Sequence, residues 1–150
     1  MFVKNTEILI AGDNYVDVIG YPIQFVTRKS SIASYNFAQK IMFFSHINRT
    51  ITEVKTAEFN MVKLIARNTK GRAFEVVCDD KTLIGISRGR YIEYVEVRSL
   101  KENSSILIDD EGLLCKIQVI EPYYENVDKV YNTGSNKGSN KFVNGLMFKA

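Results

Sequence analysis

The feature that most constrains this chain is a succession of short apolar runs, broken roughly every ten residues by turn-forming residues. The runs are 49–55 (RTITEVK), 60–67 (NMVKLIAR), 73–78 (AFEVVC), 82–86 (TLIGI), 91–97 (YIEYVEV), 105–108 (SILI) and 113–121 (LLCKIQVIE). Between them lie Asn68-Thr69-Lys70-Gly71, Asp79-Asp80, Arg88-Gly89-Arg90, Asn103-Ser104 and Asp109-Asp110-Glu111-Gly112. Residues of these types accept turn conformations or hydrogen-bond their own backbone, so they end strands. Nine Phe and eight Tyr, with no Trp, suit a pleated surface. The pattern predicts a mostly β domain of many short antiparallel strands, with at most one or two short helices.

The flanks follow the same rules. Residues 2–10 predict an opening strand that ends at Ala11-Gly12-Asp13-Asn14. Residues 15–19 alternate, with Tyr15, Asp17 and Ile19 on one face and Val16 and Val18 on the other. Gly20 and Pro22 punctuate this strand, and 23–28 predicts another. The stretch 34–44, SYNFAQKIMFF, is the best helix candidate. There Ser34 stands at the cap, and Tyr35, Ala38, Ile41 and Met42 share a face, although the aromatic content keeps a strand open. Gly134-Ser135-Asn136-Lys137 repeats as Gly138-Ser139-Asn140-Lys141, which predicts a flexible loop at about 132–141. A last strand at 142–148 contains Asn144-Gly145, the signal for a tight turn or a bulge.

With 150 residues the chain reads as one domain, 1–150. At that size roughly 70% of the unfolded surface is buried, enough for a core without staples. The net charge of +3 is too mild to predict an acidic partner. Two distant cysteines, Cys78 and Cys115, make no disulfide framework, so a reducing, cytoplasmic compartment is expected. No span has transmembrane length, and the first residues lack a signal peptide's apolar stretch.

No complete catalytic centre is visible. His46 is the only histidine, so neither a histidine-based metal site nor a Ser-His-Asp arrangement can be assembled around it with any sequence support. No Gly-rich phosphate loop is present, and no cofactor is expected. Asp109-Asp110-Glu111 and Asp79-Asp80 read as exposed turns rather than cation sites. Two basic turns, one with Arg67, Lys70 and Arg72 and one with Arg88 and Arg90, are candidates for phosphate contact.

Three segments resemble the Hint domains of inteins and hedgehog-type autoprocessing proteins. FVKNTEILIAGDN at 2–14 is similar to the opening intein block, which follows a nucleophilic Cys or Ser. FEVVCDDKTLI at 74–84, with YIEYVEVRSLKENSSIL at 91–107, is similar to the block that carries Thr-x-x-His. KVYNTGSNKGSNKFVNGLMFKA at 129–150 is similar to the closing blocks, which end in His-Asn. The resemblance implies a compact, pseudo-symmetric β fold that brings both ends together. It covers both ends and the second half, and is weak between about 20 and 60.

The resemblance also says where the chemistry belongs. The family's first residue accepts the upstream acyl group, but Met1 has no proton to lose. Its histidine protonates the leaving amide, a position held here by Lys81, and Cys78 holds the Thr position. The closing His-Asn pair is replaced by Lys149 and Ala150. Cys78 beside two aspartates is expected to have a raised thiol pKa, so it reads as a buried hydrophobe rather than a substitute nucleophile.

These readings imply a catalytically inactive Hint-like domain. Its expected role is a structural or protein-interaction component of a larger assembly, and a virion if the gene is a bacteriophage's. The alternative is an autoprocessing domain in an inactivated or trimmed form. A further alternative is a small nucleic-acid-binding β domain that uses the two basic turns. No membrane partner is expected.

Overall fold

The computed structural model describes every residue except Tyr15, Val16 and Asn136. Among the described residues the chain forms thirteen strands, all paired antiparallel, and two single-turn 3-10 segments. The strands are β1 (Glu7–Ala11), β2 (Val18–Pro22), β3 (Ser31–Asn36), β4 (Ile41–Val54), β5 (Met61–Asn68), β6 (Ala73–Asp79) and β7 (Leu83–Ser87). They continue with β8 (Ile92–Glu96), β9 (Ile106–Ile108), β10 (Leu114–Pro122), β11 (Lys129–Ser135), β12 (Asn140–Val143) and β13 (Leu146–Lys149). The mostly β expectation holds.

One ladder runs β11-β4-β3-β1-β12-β13-β7-β9-β10-β5-β6, with β2 on β1 and β8 on β7. Its two outer strands are β11 and β6, and the N-terminal segment joins them. Phe2 bridges Tyr131 of β11 and Cys78 of β6. The Phe2 and Tyr131 backbones exchange both hydrogen bonds at 2.8 Å, and the Asp79 amide donates to the Met1 carbonyl at 3.0 Å. The first two residues therefore stitch together what would be open sheet edges.

This stitch is anchored in the main core. Phe2 is fully buried, and its ring meets Phe148 edge-to-face with centroids 5.1 Å apart. Leu64, Val76, Ile84, Leu107, Val143 and Leu146 pack in the same cluster. Ile8, Ile10, Val26, Ile32 and Ile47 make a second cluster. Period-2 alternation delivers these residues inward, as in β6, where Phe74, Val76 and Cys78 are buried between more exposed neighbours.

Four local readings need correction. The expected helix at 34–44 is a hairpin: β3 and β4 pair from Ser31↔His46 to Asn36↔Ile41. The Asn36 carboxamide accepts from the Gln39 amide at 3.0 Å, and Lys40 takes φ +55, so the turn closes without a glycine to announce it. Ser34 is no helix cap; its hydroxyl is buried and donates to the Asn140 carbonyl at 2.6 Å. The expected strand at 23–28 begins instead as a 3-10 turn, Ile23–Phe25. The expected strand at 15–19 falls partly on Tyr15 and Val16, which lie outside the described residues, and β2 runs on through Gly20 to Pro22. The expected loop at 132–141 is largely strand, since β11 continues to Ser135 and β12 begins at Asn140.

Asn144-Gly145 resolves as the tight turn. β12 and β13 pair through Val143↔Leu146, with φ +46 at Asn144 and +86 at Gly145, the two positive values that a type I′ turn needs. The Asn144 side chain does more than turn the chain. Its Oδ1 accepts from the Glu7 amide at 2.7 Å, and its Nδ2 donates to the Glu75 carbonyl at 2.8 Å.

Candidate functional site

Because the N-terminal stitch and β13 lie side by side, both chain ends face one cleft of about 380 Å³. Met1, Lys81, Lys149 and Ala150 all line it. Four of the five positions singled out from the sequence are thus brought together. The fifth, Cys78, is buried beneath them, where it bridges Phe2.

The Met1 ammonium group is fixed by two partners. It donates to the Thr82 hydroxyl at 3.0 Å and pairs with Asp79 Oδ2 at 3.1 Å. Side-chain exposures near 10% at both ends make this a largely desolvated pair. Asp79 also accepts from the Lys81 amide at 2.9 Å, which shapes the turn into β7. Asp79 was expected in an exposed turn. The structure buries it instead, because the closed edge places the chain's amino group over it.

Burial pushes the Cys78 thiol up to about 12, with Asp79 and Asp80 adding to the rise. The Met1 ammonium and the Thr82 hydroxyl oppose the shift without cancelling it. At neutral pH Cys78 is therefore a protonated thiol and a poor nucleophile. The direction matches the sequence reading, but desolvation rather than the aspartates is the leading cause. Cys115 is likewise buried and raised to about 12, and neither cysteine is in a disulfide.

The sequence reading missed the floor of the cleft. Lys141 is only 2% exposed. Its Nζ donates to Asn132 Oδ1 at 2.6 Å and to the Thr133 carbonyl at 2.7 Å, and it lies 5.6 Å from the centre of the Phe2 ring. Burial, helped by the like charge of Arg49, lowers its pKa from 10.5 to about 7. The available signal was its place beside Phe142 and Val143, one residue into a strand buried on both faces.

The other candidates lie apart from the cleft lining. Arg67, Lys70 and Arg72 occupy the β5–β6 turn. There Arg67 donates to the Gly71 carbonyl, and Arg72 pairs with Asp110 at 3.1 Å while lying 4.6 Å over the Phe74 ring. Arg88 and Arg90 flank the β7–β8 turn, and Arg88 pairs with Glu93 at 2.6 Å. Three of the five basic residues are thus committed within the molecule. His46 is exposed on β4.

Asp109 is a further correction to the exposed-turn reading. It is fully buried, and its carboxylate accepts from the amides of Glu111 and Leu113 and from Asn68 Nδ2, each at 2.9 Å. The acidic residue thus organises its own turn. Among the described residues no group of three or more His, Cys, Asp or Glu side chains is gathered as metal ligands. Among the described residues no helix is long and apolar enough to cross a membrane.

A single antiparallel ladder, sewn shut by its own first residues around one terminal cleft, defines the class: this chain has the Hint fold of inteins and intein-like domains. More particularly, it is similar to an intein from a hyperthermophile, with a TM-score of 0.79, 13% identity and coverage of 99% and 98% of the two chains. It is similar to the bacterial intein-like domain from Clostridium thermocellum, at 0.76 and 15% identity over 99% and 97%. It is also similar to the transcription factor IIB Mvu mini-intein, at 0.77 and 9% identity over the full length of both. No protein-family profile matches the sequence, and no curated protein matches it.

Proposed function

We propose that this chain is a self-processing domain of the intein type that stands in an inactive form. The observation that carries the reading is the convergence of Met1, Lys81, Lys149 and Ala150 on one cleft. An intein-type reaction needs its two scissile ends at one site, and a cleft lined by both chain ends supports that reading. The residues present do not supply the chemistry. A Met1 thioether cannot receive an acyl group as a thiolate or alkoxide does. Lys81 and Lys149, where the resemblance expects histidines, carry no imidazole to shuttle a proton near neutral pH. Ala150 has no carboxamide to cyclise.

The test is direct. The chain is expressed between two unrelated flanking segments and incubated for days at neutral pH with thiol. Intact mass should show one full-length species. Time-dependent loss of either flank would overturn the inactive assignment.

The replacement of all four positions together, by Met1, Lys81, Lys149 and Ala150, favours a second reading. In it, the domain serves as a non-catalytic component of a larger protein assembly, such as a virion. Co-purification of the tagged native protein with a stoichiometric partner, lost on surface substitution but not on Asp79→Asn, would favour that reading.

A further inference from the structure

A buried ammonium group ordinarily sits against a carboxylate, because desolvating a charge without an opposite charge is costly. Lys141 breaks this rule. Its two hydrogen-bond acceptors, Asn132 Oδ1 and the Thr133 carbonyl, are both neutral. An ammonium carries three hydrogens, so one is left for a further acceptor.

The charges around it are mostly of its own sign. Arg49 reaches in from β4 and Lys149 from β13, while Lys81 and the Met1 ammonium come from the β6–β7 side. The acidic side chains that share the cleft are Glu58 and Asp79. Asp79 is already engaged with the Met1 ammonium. Among the described residues Arg49, Lys81, Lys141 and Lys149 are in none of the ion pairs.

We propose that this cleft binds an oxyanion, a phosphate or carboxylate group, held over Lys141 with Arg49 and Lys149 at the rim. The bound anion supplies the missing counter-charge and the third acceptor. The proposal does not depend on whether the domain ever processed itself. It carries a proton linkage: the anion is bound by the ammonium form, so binding draws a proton onto Lys141. Affinity therefore falls as pH rises through the lysine's own titration near 7.

The experiment is calorimetric titration of the full chain with sulfate, which does not itself titrate between about pH 6 and pH 8.5. Roughly 30-fold tighter binding is expected at pH 6 than at pH 8.5, which is the ratio of protonated Lys141 for a pKa of about 7. Acetate run in parallel distinguishes the sources, since preference for sulfate marks a phosphate site and preference for acetate a carboxylate site. Lys141→Met should abolish saturable binding. Should that variant not fold, Arg49→Ala decides, with at least tenfold weaker binding expected at pH 6. No saturable binding of either anion at pH 6, equal affinity at both pH values, or affinity unchanged by these substitutions would each overturn the proposal.

Discussion

Lys141→Met should flatten the pH dependence of stability and, at low pH, stabilise the protein. In the unfolded chain the lysine titrates near 10.5, whereas in the folded chain burial brings it to about 7. Between those values the unfolded chain holds a proton that the folded chain does not. Stability must then rise with pH, by about 1.4 kcal/mol per pH unit. Below pH 7 the folded protein carries the whole penalty, about 5 kcal/mol. From pH 7 to pH 9 it recovers about 3 kcal/mol. Above pH 9 the trend reverses. The unfolded Cys78 and Cys115 thiols, with their ordinary value of 9.0, lose protons there that the folded ones keep to about 12, and the two together outweigh the lysine's remaining gain up to 10.5.

Methionine removes the charge but leaves the Thr133 carbonyl without its Nζ donor, a loss of about 1–3 kcal/mol. Asn132 Oδ1 keeps the Thr133 amide at 2.9 Å. The variant should therefore be about 2–4 kcal/mol more stable than the parent at pH 6, with the gap closing as pH approaches 9. Urea unfolding at four pH values between 6 and 9 reads both effects. Parallel profiles for parent and variant would refute the buried-charge argument.

Phe2→Ala removes the buried ring that anchors the edge-joining segment in the core, and should cost about 3–5 kcal/mol in urea unfolding. Gly145→Ala places a Cβ 2.6 Å from the Phe74 ring at φ +86, so thermal unfolding should show a loss of about 2 kcal/mol or more. Arg88→Ala with Arg90→Ala should change stability by less than about 1 kcal/mol, because the Arg88–Glu93 pair is exposed. The same double variant tests the nucleic-acid alternative, which requires binding that falls steeply with salt and falls on this substitution.

The strands from β5 to β10 were legible because each combines alternation with turn residues that name its ends. The β3–β4 hairpin was not. Its turn is carried by Lys40 at positive φ, and Tyr35, Ala38, Ile41 and Met42 mimic a helical face at hairpin spacing. Asn144-Gly145 was readable because both residue types favour the φ that the turn demands. At the site, the end positions singled out through the resemblance do line one cleft. Asp79, Thr82 and Lys141 were not legible, because their roles exist only after Phe2 closes the sheet. A lysine that follows Gly-Ser-Asn looks like loop until its strand is seen to be buried on both faces.

The central claim of the proposed function is that the cleft at the chain ends suits self-processing, whereas Met1, Lys81, Lys149 and Ala150 withhold the chemistry. Its most direct test restores them together: Met1→Cys, Lys81→His, Lys149→His and Ala150→Asn, in the chain set between two foreign segments and begun at neutral pH with intact-mass detection. The account predicts time-dependent cleavage or joining of the flanks that the unrestored chain does not show. A restored protein that is folded by circular dichroism yet keeps both flanks indefinitely would contradict it.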